Sequence, residues 1–181
     1  MKSFFKEILI TFIMAVIITV AFRTSLQTFG IFMSSMEPNF HEGQRLLVNK
    51  AAYFFADPQR GDVIIFHAPG NQNGDYIKRV IALPGDTVEI KSSAVYVNNI
   101  PLDEPYVRDP PNYSLGKMVI PQQQYFVLGD NRNNSNDSHR GWLVPREDIV
   151  GKAWLSTWPP DSWGLVPTYS LDEQLTASMA R

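Results

Sequence analysis

The chain has 181 residues, which leaves room, once a membrane anchor is set aside, for one domain of roughly 120 to 150 residues with a real core. Sixteen basic against eighteen acidic residues give a formal net charge of -2 with no long basic block, which argues against nucleic acid as a partner. The absence of cysteine excludes disulfides, thiolate metal sites and a cysteine nucleophile, and leaves the compartment open.

Residues 8–22 (ILITFIMAVIITVAF) pass without a charge, and Phe4 and Phe5 extend the apolar character past Lys6 and Glu7. A bilayer span takes about 20 residues, so this segment is short but adequate with snorkelling of its basic flanks. Lys2 and Lys6 also resemble the basic start of a cleaved secretory signal. However, Ala21-Phe22-Arg23 is a poor cleavage site and residues 24–32 show no small-x-small pattern, so a retained anchor is the reading adopted. Lys2 and Lys6 outweigh Arg23, which places residues 1–7 in the cytoplasm, the anchor and juxtamembrane segment at 8–28, and the remainder outside a plasma membrane crossed once.

Beyond the anchor the pattern becomes short and alternating. Residues 45–49, 62–66, 76–82, 87–90, 94–97 and 124–128 read as strands, divided by turns such as Arg60-Gly61, Pro84-Gly85-Asp86 and Asn98-Asn99. Six or more short strands predict a mainly β barrel or sandwich over residues 29–156, with a hairpin extension at 86–124 and a single helical turn at 50–55. The Pro, Ser, Asp and Thr content of residues 157–181 predicts a loosely attached tail. Trp154, Trp158 and Trp163 would rest on the barrel or on lipid headgroups.

Lys78 lies in an apolar strand, sharing a face with Tyr76 and Val80. Burial there would strip its ammonium of water and lower its pKa, the condition for a lysine to act as a general base near neutral pH. A lone strand lysine is ordinarily a snorkelling edge residue, and Ser34-Ser35 ahead of a proline is ordinarily a turn. Neither carries a functional claim alone. His41, His67 and His139 are too dispersed for a metal site, no phosphate loop is present, and no cofactor is implied.

Four segments taken together change the weighing. Ser34-Ser35-Met36-Glu37-Pro38, Arg60-Gly61-Asp62-Val63-Ile64-Ile65-Phe66, the run from Tyr76-Ile77-Lys78-Arg79-Val80 to Gly85-Asp86, and Gly129-Asp130-Asn131-Arg132 through Ser135 to Ser138 stand in the order and spacing of four motif boxes. Over roughly residues 4–155 the chain resembles the type I signal peptidases, membrane-anchored serine-lysine proteases that remove signal peptides from exported proteins. The resemblance implies Ser35 as nucleophile, with its N–H in the oxyanion hole, and Lys78 as general base. It further implies that Ser135 orients the lysine amine, that Asp130 pairs with Arg79, and that Asp137 pairs with a basic neighbour. Three positions depart from the usual pattern: Met33, where some relatives carry serine or glycine, Asn39 in place of threonine, and His139 in place of arginine.

The same resemblance implies an extended peptide added as a strand between the segment leading into Ser35 and the strand leading into Lys78. Ile31, Met33, Met36, Tyr76 and Ile77 would line pockets for small residues before the cut. The partners implied are signal-peptide-bearing precursors and the lipid bilayer, with Phe29, Phe32 and Phe40 as candidate lipid contacts. Two rivals stand beside this reading. A self-cleaving repressor would need a DNA-binding domain where this chain has its anchor. A catalytically inactive, membrane-tethered binding module would be expected to have lost one of Ser35, Lys78 and Ser135.

Overall fold

In the computed structural model, which describes residues 2–70 and 74–179, the apolar N-terminus forms one helix, α1 (Lys2–Ser25). Its stretch from Phe4 to Ser25 comprises 22 residues, none of its apolar window buried in the protein. At 1.5 Å per residue that is about 33 Å, enough to cross a hydrocarbon core of about 30 Å. The helix is longer than the uncharged run because Phe4, Phe5, Thr24 and Ser25 continue it at both ends. Its threonines do not leave hydroxyls bare to lipid: Thr11, Thr19 and Thr24 each donate to the carbonyl four residues earlier, at 2.9, 2.8 and 2.9 Å.

Among the described residues twelve strands follow: β1 (Leu26–Gly30), β2 (Arg45–Asn49), β3 (Val63–His67), β4 (Asp75–Ala82), β5 (Thr87–Lys91), β6 (Ala94–Val97), β7 (Ile100–Pro101), β8 (Leu115–Val119), β9 (Gln124–Leu128), β10 (Val144–Pro145), β11 (Ile149–Trp158) and β12 (Gly164–Leu165). The larger sheet has the order β1-β2-β11-β3-β4-β9-β10, with β12 on β11, and the smaller has the order β7-β6-β5-β8. All described pairings are antiparallel. The small sheet is built by two-residue hairpins, Ser92-Ser93 and Asn98-Asn99, whose four residues all have positive φ, as a turn matching the strand twist requires. The expected helical turn is present as a 3₁₀ turn at Ala51–Tyr53.

The strand β3 shows why its sequence reads as a continuous apolar run rather than an alternation: both faces are covered. Val63 and Ile65 join Ile31, Met36, Phe40, Leu46 and Ile77 in one cluster, while Ile64 and Phe66 join Tyr53, Val80, Tyr125 and Val127 in another. A third cluster, including Val88, Val97, Phe126 and Leu128, fills the space between the two sheets.

Two boundaries differ from expectation. β1 begins at Leu26, directly after the helix, so the segment assigned to the juxtamembrane region at 26–28 is part of the main sheet, paired with β2 from Leu26↔Asn49 to Gly30↔Arg45. Residues 157–181 are not a loose tail over their described part. β12 pairs with β11, and α2 (Leu171–Met179) sends Leu171 and Leu175 into the core between the sheets. Two apolar side chains at i and i+4 suffice to dock a short polar helix. Arg60 ties it down by bonding both Asp86, at 2.6 and 2.9 Å, and Asp172. The chain passes Gly61 so closely that a Cβ there would collide with the Tyr169 carbonyl.

Candidate active site

The turn between β1 and β2 carries Ser35, and β4 carries Lys78. Ser35 is presented by its neighbours: Met36 is fully buried beneath it, and Glu37 and Asn39 close the turn on the carbonyls of Ser34 and Met36, both at 3.1 Å. From the loop after β9, Asn131 donates its backbone N–H to the Ser35 carbonyl at 3.0 Å and its amide to the Ser34 carbonyl at 3.1 Å. Asn134 donates to the Ser34 hydroxyl at 3.0 Å. Alternation along β4 sends Ile77 into the core and turns Lys78 toward this turn.

Lys78 Nζ lies 2.7 Å from Ser35 Oγ and donates to the Ile77 carbonyl at 2.9 Å. The lysine is 1% exposed. Burial lowers its pKa to about 8, against the partial opposition of the Asp137 and Asp130 carboxylates. As an ammonium it donates to Oγ; once neutral, with one N–H still on Ile77, its lone pair can accept the Ser35 proton over the same contact.

Around this pair the charged groups act as a frame. Arg79 and Asp130 form a bidentate pair at 2.7 and 2.9 Å, with side chains 1% and 0% exposed. The guanidinium lies 4.1 Å from the Tyr106 ring centre and 5.2 Å from that of Tyr169. Asn39 donates to Asp130 at 2.9 Å and to the Tyr106 carbonyl at 2.7 Å, tying the serine turn to the frame. Arg132 is held by Glu104 at 2.5 and 2.7 Å and donates to the Gly129 carbonyl at 3.1 Å. The basic neighbour of Asp137 is His139, at 2.6 Å, and the other carboxylate oxygen accepts the Gly129 N–H at 2.9 Å. A Cβ at Gly129 would collide with Ser135 Oγ and the Ser35 carbonyl, so this glycine is required for the two serines to approach.

The expected residues fall into two groups. Ser35, Lys78, Ser135, Met33 and Tyr76 line one cavity of about 690 Å³, together with Phe32, Ser34, Glu42, Asn133, Asn134, Asn136 and Arg140. Ile31, Met36 and Ile77, assigned above to substrate pockets, are instead 1%, 0% and 3% exposed within a core cluster and are absent from the cavity wall. Strand period places Ile77 on the inner face, and Ile31, just past β1, and Met36, in the serine turn, pack into the same cluster, which no motif discloses. Phe40 is likewise core rather than a lipid contact, and Phe29 is half-buried against the same cluster, whereas Phe32 is 80% exposed. Ser135 reaches the cavity, yet its buried hydroxyl has no hydrogen-bond partner, so the expected bond to the lysine amine is not formed. Asn39, Asn131, Asn134, Glu104 and Gly129 were missed as site residues. Asn131, Asn134 and Gly129 lie inside a motif box, which offered the one signal for them; Asn39 and Glu104 lie outside all four boxes. Among the described residues no group of three or more His, Asp or Glu side chains could hold a metal ion.

A model of the family described as signal peptidase, peptidase S26, matches residues 1–158. The chain is 45% identical over 143 residues to the probable signal peptidase I-1 of Synechocystis sp., covering 75% of this chain and 73% of that protein. It is 37% identical over 178 residues to signal peptidase IB of Staphylococcus aureus, covering 88% and 92%. The crystal structure of a signal peptidase I from Enterococcus faecalis matches at 31% identity with a TM-score of 0.45, covering 54% of this chain and 97% of that one. Since the family match runs unbroken from the anchor through the serine turn and the lysine strand to the end of β11, the chain belongs to the signal peptidase family, peptidase S26.

Proposed function

We propose that this peptidase removes signal peptides from exported precursor proteins at a membrane surface, with Ser35 as nucleophile and Lys78 as general base. The observation that carries the reading is the 2.7 Å contact between Ser35 Oγ and the buried Lys78 amine. Neutral Lys78 takes the Ser35 proton as Oγ attacks the scissile carbonyl. The Ser35 N–H stabilises the resulting oxyanion, and the lysine ammonium returns the proton to the departing amine. Water, deprotonated by the same amine, then hydrolyses the acyl-enzyme ester. Ser135 is proposed to bond the amine once substrate closes the site, while Arg79, Asp130 and Asp137 brace it.

Main-chain pairing offers a route for the substrate. β4 is paired with β3 along Asp75 to Arg79, but its pairing with β9 begins only at Arg79. Among the described residues no strand pairs with that other edge of β4 before Arg79, beside the cavity that Lys78 lines, and an added peptide strand is proposed there. Met33, Tyr76 and Phe32 bound the space for its side chains. Exposed Phe32, Trp154, Trp158 and Trp163, together with α1, support a domain lying against lipid. The charge balance across α1 supports an orientation with the N-terminus in the cytoplasm and the β domain outside. An inactive binding module has no need of a lysine desolvated onto a serine, and that contact counts against it.

Purified full-length chain in detergent with lipid is to be mixed with an exported precursor, and the N-terminus of the shortened product determined. Cleavage after a small-x-small sequence, lost in both Ser35→Ala and Lys78→Ala, is the expected result. No cleavage across several precursors, or cleavage that survives either substitution, would overturn the proposal.

A further inference from the structure

We propose that His139 is a positioning residue for Lys78: held on Asp137, its imidazole governs how strongly that carboxylate acts on the lysine amine, so that the charge on His139 tunes the proton affinity of the base. The inference rests on the assignment of Lys78 as proton acceptor and goes further, to what sets its working range.

Asp137 is fully buried and caps the 3₁₀ turn Ser138–Arg140. One carboxylate oxygen accepts both the His139 backbone N–H, at 3.2 Å, and its Nδ1, at 2.6 Å. The other accepts the N–H of Gly129, the residue against which Ser135 and the Ser35 carbonyl are packed. Asp137 thus touches, through one backbone N–H, the loop that packs on the reacting turn, and its charge strengthens proton binding at Lys78. Among the described residues no arginine or lysine is paired with Asp137. His139 is its ring partner, with the imidazole side chain only 12% exposed.

The groups facing the imidazole are few. Tyr113 stacks on it with ring centres 4.1 Å apart and planes 20° apart, and the Tyr113 hydroxyl, pushed above its ordinary pKa by burial first and Asp137 second, brings no charge. Arg140, next in the chain and exposed, acts electrostatically on Tyr113 and makes no ion pair among the described residues. Arg132 and Glu104, which also act on Tyr113, neutralise each other at 2.5 Å. From β4, Lys78 feels the Asp137 charge. A proton gained at His139 therefore offsets Asp137, the stronger of the two carboxylates that press Lys78 toward its ammonium form, while Asp130 stays neutralised by Arg79. A unit charge roughly 10 Å from an amine, in surroundings of effective dielectric about 20 to 40, changes its titration point by about half to one pH unit.

The test uses full-length chain in detergent bearing His139→Arg, which fixes the cation, and His139→Gln, which keeps a neutral donor. Lys78 is titrated directly by carbon NMR of ε-labelled lysine, its resonance identified by its loss in Lys78→Met. The acid limb of kcat/KM for precursor cleavage is recorded on the same samples. Lys78 should titrate about half to one unit lower in His139→Arg than in His139→Gln, with the unsubstituted chain at or between them and the acid limbs in the same order. His139→Lys provides the cation if the arginine does not fold. Coincident titrations, with only the rate reduced, would reduce His139 to a structural brace and overturn the inference. Separated titrations in a chain that cleaves no precursor would instead overturn the proteolytic reading and leave the coupling standing.

Discussion

Replacing Lys78 with methionine should stabilise the folded protein, and by an amount that depends on pH. The side chain is buried, and its pKa of about 8 lies roughly two pH units below the ordinary lysine value of about 10.4. Each unit corresponds to about 1.4 kcal/mol, so a protonated Lys78 disfavours the folded state by about 3 kcal/mol relative to an unfolded chain in water. Below pH 8 both states hold the proton and the full penalty applies. As pH rises from 8 to about 10.4 the unfolded state still binds a proton that the folded state has released, so stability climbs, and above that range the penalty is gone. Methionine keeps the length and apolar contacts of the stem while forfeiting bonds to Ser35 Oγ and the Ile77 carbonyl, whose dependence on the lysine's charge is already contained in the pKa difference. Denaturant unfolding of both chains in the same detergent at pH 6, 8 and 10 measures the difference. Lys78→Met should gain about 3 kcal/mol relative to the parent at pH 6 compared with its standing above pH 10. A difference that is flat with pH would show that the amine is not desolvated in the folded protein and would remove the basis for a neutral lysine at the site.

Three further outcomes follow from the same geometry. The kcat/KM of precursor cleavage should fall about tenfold per pH unit below pH 8, as the ammonium form accumulates; a limb near the ordinary lysine value would contradict it. Gly129→Ala should leave the chain folded by circular dichroism yet lower cleavage about a hundredfold or more, because the added Cβ must push Ser135 or the Ser35 turn aside; retained activity would mean that the turn relaxes freely. Asp130→Ala strands the buried Arg79 guanidinium and removes one of the two bonds of the Asn39 amide, and should reduce unfolding stability by about 3 to 5 kcal/mol; a loss below about 1 kcal/mol would show that water enters to replace the carboxylate.

The strands that are easiest to read in the sequence are those whose composition is nearly all apolar or whose turns are sharply marked. β2, β3, β6 and β9 belong to this group, and so does the two-residue turn Asn98-Asn99. β11 was not legible, although it is the longest strand and lies between β2 and β3 at the centre of the main sheet. Its buried positions include Gly151, Ala153 and Ser156, small residues chosen by close neighbours: a Cβ at Gly151 would meet the Asn49 carbonyl and Val48. Small residues in a tightly packed strand look, in sequence, like the residues of a loop. The tail was misjudged for the converse reason: Leu171 and Leu175 are set apart by Asp172, Glu173 and Gln174, and their value lies in the space left for them between the sheets.

The sequence by itself determined the helix long enough to span a bilayer, the mainly β character of the rest, the exclusion of cysteine chemistry, and the local segments that bear Ser35 and Lys78. These properties are set by composition and by periods of a few residues. Only the tertiary structure decided that two side chains 43 positions apart stand 2.7 Å from each other, that Met33 and Tyr76 face the cavity while Ile31, Met36 and Ile77 face the core, and that Asn39 and Gly129 hold the site. The direction a side chain faces, and the water it loses, depend on strands brought alongside from distant parts of the chain; the depressed pKa of Lys78 is a property of that surrounding interior and not of its neighbours in sequence.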